Sequence, residues 1–220
     1  MRVKLHMDYL DDFYGIIGCG GHARSVADTI LCSKKNAQIV FFDDNAQEDE
    51  FILGEFPVMK LTGNLEYLAK SKNVFLGIGD NAKRCQIVDI LKAEGITKNI
   101  YRELVSINAR VGVGSTIGVG TYIGDAVHIG PQVTVGEFSI VNTSAVVEHE
   151  SSIGDYSHIS VNATICGRCK IGENTFVGAG AVVKDNVVIS NNIIVGAGGV
   201  VVRDLIIPGI YVGNPVRLKK

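Results

Sequence analysis

Residues 111–130 read VGVGSTIGVGTYIGDAVHIG. Val111, Ile117, Ile123 and Ile129 stand six apart, and a glycine follows each of them. Extended in both directions, the spacing holds from Val105 to Ile207, where every sixth residue is Val or Ile without exception. The following residue is glycine at 112, 118, 124, 130, 136, 154, 172, 178 and 196. The residue two before each aliphatic is mostly small, as at Ser115, Thr121, Ser139, Ala145, Ser151, Ser157, Ala163 and Ala181. A six-residue unit is too short to bury its own aliphatic face, so copies must stack into a coil with a ladder of aliphatics inside. Three such units closing one triangular turn give roughly 18 residues per coil, and about six coils over residues 105–212. Glycine after the aliphatic is expected to permit the tight corner, and the small residues to fit the narrow interior. A β-sandwich would show irregular turn spacing instead.

Upstream the pattern changes. FYGIIG (13–18), QIVFFDD (38–44) and NVFLGIG (73–79) read as buried strands, and residues 22–31, 65–70 and 82–94 read as helices. Alternation of this kind indicates βαβ units on a parallel sheet. A fourth strand is expected at residues 98–104, leading into the coil. The chain therefore divides into a Rossmann-like α/β region, residues 1–104, and a parallel β-helix, residues 105–220.

The net charge of −2 argues against nucleic acid or an anionic membrane as partner, since both need a concentrated basic field. The N-terminus carries acids before its first apolar run, with no small-residue cleavage site, and no segment has the roughly 18 apolar residues of a membrane span. A cytoplasmic protein is expected. Five cysteines (Cys19, Cys32, Cys85, Cys166, Cys169) without regular spacing suit free thiols in a reducing compartment. Only residues 166–169 have C-x-x-C form, and a zinc site would need a second ligand pair, so no metal is expected.

Gly18-Cys19-Gly20-Gly21-His22-Ala23 follows the first strand and opens the first helix, a turn of G-x-G-x-x-A form where a phosphate can meet a helix N-terminus. Asp43 and Asp44 close the second strand, where an acid in this fold commonly meets a ribose hydroxyl. The region lacks the second half that a dinucleotide would occupy, so a single mononucleotide-sized ligand fits better. Gly77-Ile78-Gly79-Asp80-Asn81 repeats the arrangement after the third strand, with Asp80 either at the ligand or capping the next helix.

With both halves read, the chain resembles the sugar O/N-acyltransferase family that includes sialic acid O-acetyltransferases and the bacterial acetyltransferases of bacillosamine and perosamine synthesis. The resemblance is carried by GIIGCGGHA, VFFDD, VFLGIGDNAKR, NTSAVVEHESSIGDYSHIS and YVGNPVR, and spans Phe13 to Arg217. It implies a left-handed coil, a homotrimer and acetyl-coenzyme A as cosubstrate. Many members acetylate the amino group of a nucleotide-linked 4-amino-4,6-dideoxy sugar for bacterial glycan synthesis. O-acetylation of a sialic acid or related sugar is the other activity implied. By the same resemblance, His149 is the general base, Glu150 the acid that orients it, and Asn142 lies beside the acceptor. Gly20, Gly21, His22, Asp43, Asp44 and Gly79 match positions that hold the nucleotide sugar. His158, Ala179 and Ala197 match positions lining the coenzyme A groove. Cys19 and Gly20 depart from the Ala and Ser others carry there, and residues 1–12 extend beyond the usual start.

The chemistry agrees with that register. Acyl transfer to an amine needs a proton acceptor near neutrality, and imidazole, ionising near ~6.5 in model peptides, is suited to it. A neighbouring carboxylate fixes the ring tautomer, and Glu148 and Glu150 flank His149. The repeat adds geometry: His149 is two past a rung and His158 five past one, so within one chain they leave the coil on different sides. If both serve one site, it lies between two subunits, with His158 contributed by the neighbour. Other readings are a zinc hydratase using His128, His149 and His158, a nucleotidyltransferase, or a non-catalytic nucleotide-sugar sensor. The first lacks a close histidine pair, and the second lacks an Arg- and Lys-bearing phosphate loop.

Overall fold

The computed structural model describes residues 12–47, 50–71 and 73–219. The N-terminal extension noted above, save Asp12, lies outside the described residues. The α/β part runs β1 (Phe13–Ile17), α1 (Gly21–Ser33), β2 (Gln38–Phe42), β3 (Phe51–Ile52), β4 (Phe56–Met59), α2 (Leu65–Ala69), β5 (Asn73–Leu76) and α3 (Asn81–Ala93). The sheet order is β3-β4-β2-β1-β5, parallel except for β3 against β4. Beyond the exposed Gln38 that opens β2, the central strands are mostly apolar because both faces are covered. Ile16, Ile39 and Phe41 pack toward α1, and Phe13, Ile17, Val40 and Phe42 toward the other side with Val88 and Leu91 of α3. The chain leaves β1 on one side for β2 and later returns on the other for β5. This reversal opens a crevice at the carboxyl ends of β1 and β5.

Two expectations need correction. The fourth strand is absent: residues 98–100 form a 3₁₀ turn, and only Tyr101 bridges to Val74. The Tyr101 ring is instead buried edge-on against Phe138 of the coil, centroids 5.2 Å apart, which commits the chain to leaving the sheet. The β3–β4 hairpin was not foreseen; it is two and four residues long and carries Pro57, so neither length nor propensity marks it.

From Leu104 the chain forms a left-handed parallel β-helix of three faces. The first face runs Leu104–Val105, Tyr122–Ile123, Ile140–Val141, His158–Ile159, Phe176–Val177 and Ile193–Val195; the second runs from Arg110–Val111 to Val200–Val201; the third from Thr116–Ile117 to Val188–Ile189. Until the last coil, where the step is 16, each strand pairs with the one 18 residues on, as in Tyr122↔Ile140 and Thr134↔Ser152. Between Ile123 and Val201 the inward aliphatics are all essentially fully buried, each burial being worth about 1.5–3 kcal/mol. The register slips at the end: Ile207 is 64% exposed, and Leu205 takes its place by bridging to Ile189.

The glycines serve a different purpose from the one the sequence suggested. The left-handed residue of each corner lies three past the rung, at every sixth position from Gly114 to Gly198. Asparagine, which tolerates that conformation, recurs there at 162, 174, 186 and 192. Glycine one past the rung has ordinary φ, but a Cβ at Gly118 would lie 2.5 Å from the Gly136 carbonyl carbon. Those glycines let successive coils stack closely.

The α/β part docks on the first face. Tyr122 and Ile140 join the α1 core, and Phe138 joins the α3 core. Arg84 of α3 is fully buried in the seam, with no carboxylate paired to it among the described residues. Its guanidinium donates to the carbonyls of Phe138 (2.7 Å), Tyr156 (2.8 Å) and Ile78 (2.9 Å) and to Asn81 Oδ1 (2.8 Å). Burial lowers it to about 10, so it stays charged at neutral pH.

Candidate active site

The crevice at the strand ends is an open cleft of about 610 Å³, within the range of small-molecule sites. Gly20, Gly21, His22, Asp43, Asp44 and Gly79, all singled out in the sequence, line it together. A Cβ at Gly20 or Gly21 would meet nothing within 4 Å, so packing does not require these glycines; they leave backbone bare at the mouth of α1. No side chain caps that helix, so its first N–H groups are available to an anion. Gly77 does serve packing, since a Cβ there would lie 2.5 Å from that of Ala23.

The two aspartates differ. Asp43 accepts from Cys19 N–H (3.1 Å) and from the backbone and side-chain N–H groups of Asn45 (2.9 and 3.1 Å). Partial burial pushes its carboxyl up, but these hydrogen bonds outweigh it and hold Asp43 below the ordinary range. Both oxygens are committed to shaping the turn. Asp44 uses one oxygen on Thr62 N–H (2.7 Å), and its other oxygen accepts no hydrogen bond among the described residues. Burial and Asp43 push the Cys19 thiol up to about 11, so it carries no thiolate. Asp80 caps α3, accepting from Lys83 N–H at 2.8 Å. Sequence reasoning missed Lys83, Gln86, Ile87 and Ile90, which line the cleft from α3. Their spacing of three, four and seven on a helix opening at the cleft was the available signal.

From the cleft a polar path crosses to the coil. Gly79 O accepts from His158 Nδ1–H (3.1 Å), and Asn142 Nδ2–H donates to His158 Nε2 (3.2 Å). A carbonyl partner fixes the Nδ1–H tautomer. His158 does leave the coil as its register requires, but the α/β part of its own chain covers it to 7% exposure. Burial lowers it to about 4. The neighbouring His22 ring stands edge-on to Tyr122 at 5.0 Å, and burial lowers it to about 3. Its Nε2 is buried without a hydrogen-bond partner among the described residues.

His149 and Glu150 lie apart from these groups, on the corner between the second and third faces. His149 Nδ1–H donates to Glu150 Oε2 at 2.9 Å, with side chains 41% and 49% exposed. Glu150 occupies the left-handed corner position, φ 59°, and Arg168 stands 3.6 Å from its carboxylate. The hydrogen bond from His149, helped by the nearby Arg168 guanidinium, holds Glu150 below the ordinary range. The pairing leaves Nε2 of His149 as the free nitrogen. Asn142, Ala179 and Ala197 lie on the preceding corner, between the first and second faces. One chain therefore does not bring them to His149. His128, His149 and His158 do not converge either; they lie on the second face, its far corner and the first face.

A sheet module with a bare helix mouth, set on a hexapeptide coil with a carboxylate-oriented imidazole on one corner, defines the class of hexapeptide-repeat acyltransferases. The model for the PglD N-terminal domain matches residues 15–91. Among solved structures, PerB from Caulobacter crescentus in complex with CoA and GDP-perosamine is 32% identical, over 94% of this chain and 97% of that one, with a TM-score of 0.82. The acetyltransferase domain of PglB from Neisseria gonorrhoeae is 28% identical, over 95% and 100%, with a TM-score of 0.85. WeeI from Acinetobacter baumannii, at 23% identity and a TM-score of 0.77, shares the fold. Comparison with curated protein sequences gives no match. The chain belongs to the PglD-like family of sugar acetyltransferases. Among the described residues no helix is long and apolar enough to cross a membrane.

Proposed function

We propose that the chain transfers the acetyl group of acetyl-coenzyme A to the amino group of a nucleotide-linked 4-amino-4,6-dideoxy sugar, in the cytoplasm and as a homotrimer, for bacterial glycan synthesis. The observation that carries this is the His149–Glu150 pair with its free Nε2, on a chain that also has a mononucleotide-sized cleft. In this reading the first-turn N–H groups of α1 and Lys83 meet the phosphates, and Asp44 meets a hydroxyl or base edge. Gly20, Gly21, His22 and Gly79 shape the cleft, and Asp43 acts by holding the Cys19 turn.

Trimer formation supplies what one chain lacks. It sets the His149 corner of one subunit opposite the Asn142–Ala179–Ala197 corner of the next, and coenzyme A lies in the groove between. The second-face valine Val182 is 38% exposed and Val161 on the adjoining corner 43%, apolar surface of the kind such contacts cover. His158 acts on the coenzyme side by holding Asn142, since both its ring nitrogens are engaged.

The step is direct. Nε2 takes a proton from the amine as nitrogen bonds to the thioester carbonyl carbon, and backbone N–H groups of the coil stabilise the oxyanion. Collapse breaks the C–S bond, and the imidazolium returns its proton to the departing thiolate, giving the acetamide and free coenzyme A. His149→Ala is expected to lower kcat by about 10²-fold or more with coenzyme binding unchanged. The substrate is tested by thiol release over UDP-, dTDP- and GDP-linked 4-amino-4,6-dideoxy sugars and free sialic acid. Turnover of sialic acid alone would overturn the proposed acceptor.

A further inference from the structure

Among the positions two past a rung, from Ile107 through Val113, Asp125, His149 and Glu173 to Ala197, only residue 167 is glycine. The place where the repeat uses glycine, one past the rung, is filled here by Cys166. Gly167 has no conformational need of its own, because its φ lies outside the left-handed region. Nor does it face the backbone of the next coil, as the repeat glycines do. What a Cβ at Gly167 would meet is the imidazole of His149, 18 residues earlier on the same corner: Nε2 at 2.6 Å, Cε1 at 2.7 Å and Cδ2 at 3.2 Å.

We propose that Gly167 is a positioning residue for the transfer reaction, its missing β-carbon being the seat on which the His149 ring lies. The proposal rests on His149 being the base. The ring is then held at two points: Nδ1 by Glu150 at 2.9 Å, and the Nε2–Cε1 edge by the bare Cα of the coil below. The backbone at this corner is also tied, with Arg168 N–H donating to His149 O at 2.9 Å. A methyl group at 167 therefore cannot be accommodated by the corner opening and must displace the ring. Because the ring is the partly exposed end of a flexible side chain, displacement costs the fold little. It costs the reaction much more, since about 1 Å of misplacement at a reacting group lowers rates by up to about 10²-fold.

The test is a double-mutant cycle on the full chain with the best acceptor from the thiol-release panel. Gly167→Ala is expected to keep the wild-type melting temperature and to hold KM for both substrates within about twofold while kcat falls by about 10-fold or more. In a His149→Ala background the same substitution is expected to have no further effect, as two changes acting through one group do not add. Independently of any acceptor, the ¹⁵N shifts of the His149 ring are expected to change from one dominant Nδ1–H tautomer to a mixture in Gly167→Ala. Wild-type kcat and ring shifts in Gly167→Ala, or an undiminished further loss in the double variant, would overturn the role of Gly167 and leave the base assignment intact. An active His149→Ala would sink the base assignment itself.

Discussion

Lowering the pH should loosen the seam between the α/β part and the coil, and His158 sets the size of the effect. Its ring is neutral in the fold, donating from Nδ1 to Gly79 O and accepting at Nε2 from Asn142. A proton at Nε2 would face the Asn142 amide N–H. Rotating that amide would forfeit its oxygen's bond to Thr143 N–H at 2.8 Å. The folded-state value is about 4, against 6.5 unperturbed. Between these limits the unfolded chain binds a proton that the folded chain does not, so stability falls as pH drops through the window and levels off below it. About 2.5 units at 1.36 kcal/mol each give about 3 kcal/mol. The measurement is urea unfolding at intervals from pH 7 to 4 for the wild type and His158→Gln. His22 contributes to both, so the informative quantity is the difference in slope, expected to approach one proton. Equal slopes would refute the assignment of a neutral, seam-locked His158.

Further outcomes follow for Arg84, Gly77 and Gly20. Arg84→Met strands the carbonyls of Phe138, Tyr156 and Ile78; a loss of about 3 kcal/mol is expected by chemical denaturation. Arg84→Lys should recover little of it, because one ammonium cannot span the same acceptors. Gly77→Ala, which forces a Cβ to 2.7 Å from the Ala23 Cα, should cost about 1–3 kcal/mol. Gly20→Ala, with nothing within 4 Å, should leave the melting temperature alone and weaken nucleotide-sugar binding measured by calorimetry.

The coil was legible because a period of six constrains every rung, and every sixth residue from Val105 to Val201 is Val or Ile. The strand ends that form the cleft were legible for a similar reason: glycine turns and acids fall after apolar runs. Arg84 was not, since a helical arginine ordinarily reads as a solvent-facing charge, and two of the carbonyls that receive it, those of Phe138 and Tyr156, come from residues over 50 positions away. The engagement of Asp43 with Cys19 was hidden likewise, a hydrogen bond between segments 24 residues apart. Tyr101 was misread because a β-former before a coil continues a strand by propensity, while the Phe138 ring wins by burial.

The 18-residue pairing also acts as a ruler. Adjacent coils are hydrogen-bonded strands, so each adds about 4.8 Å along the axis, and a whole added coil returns every corner to the same azimuth. The axial offset between the His149 corner and the Ala179–Ala197 corner can therefore change during evolution only in steps of that size. An insertion of one hexad would instead rotate all later corners by a third of a turn and carry the groove proposed for the acetyl donor to the wrong side of the prism. The spacing of corners on this scaffold is quantised, and finer adjustment is left to the side chains they carry.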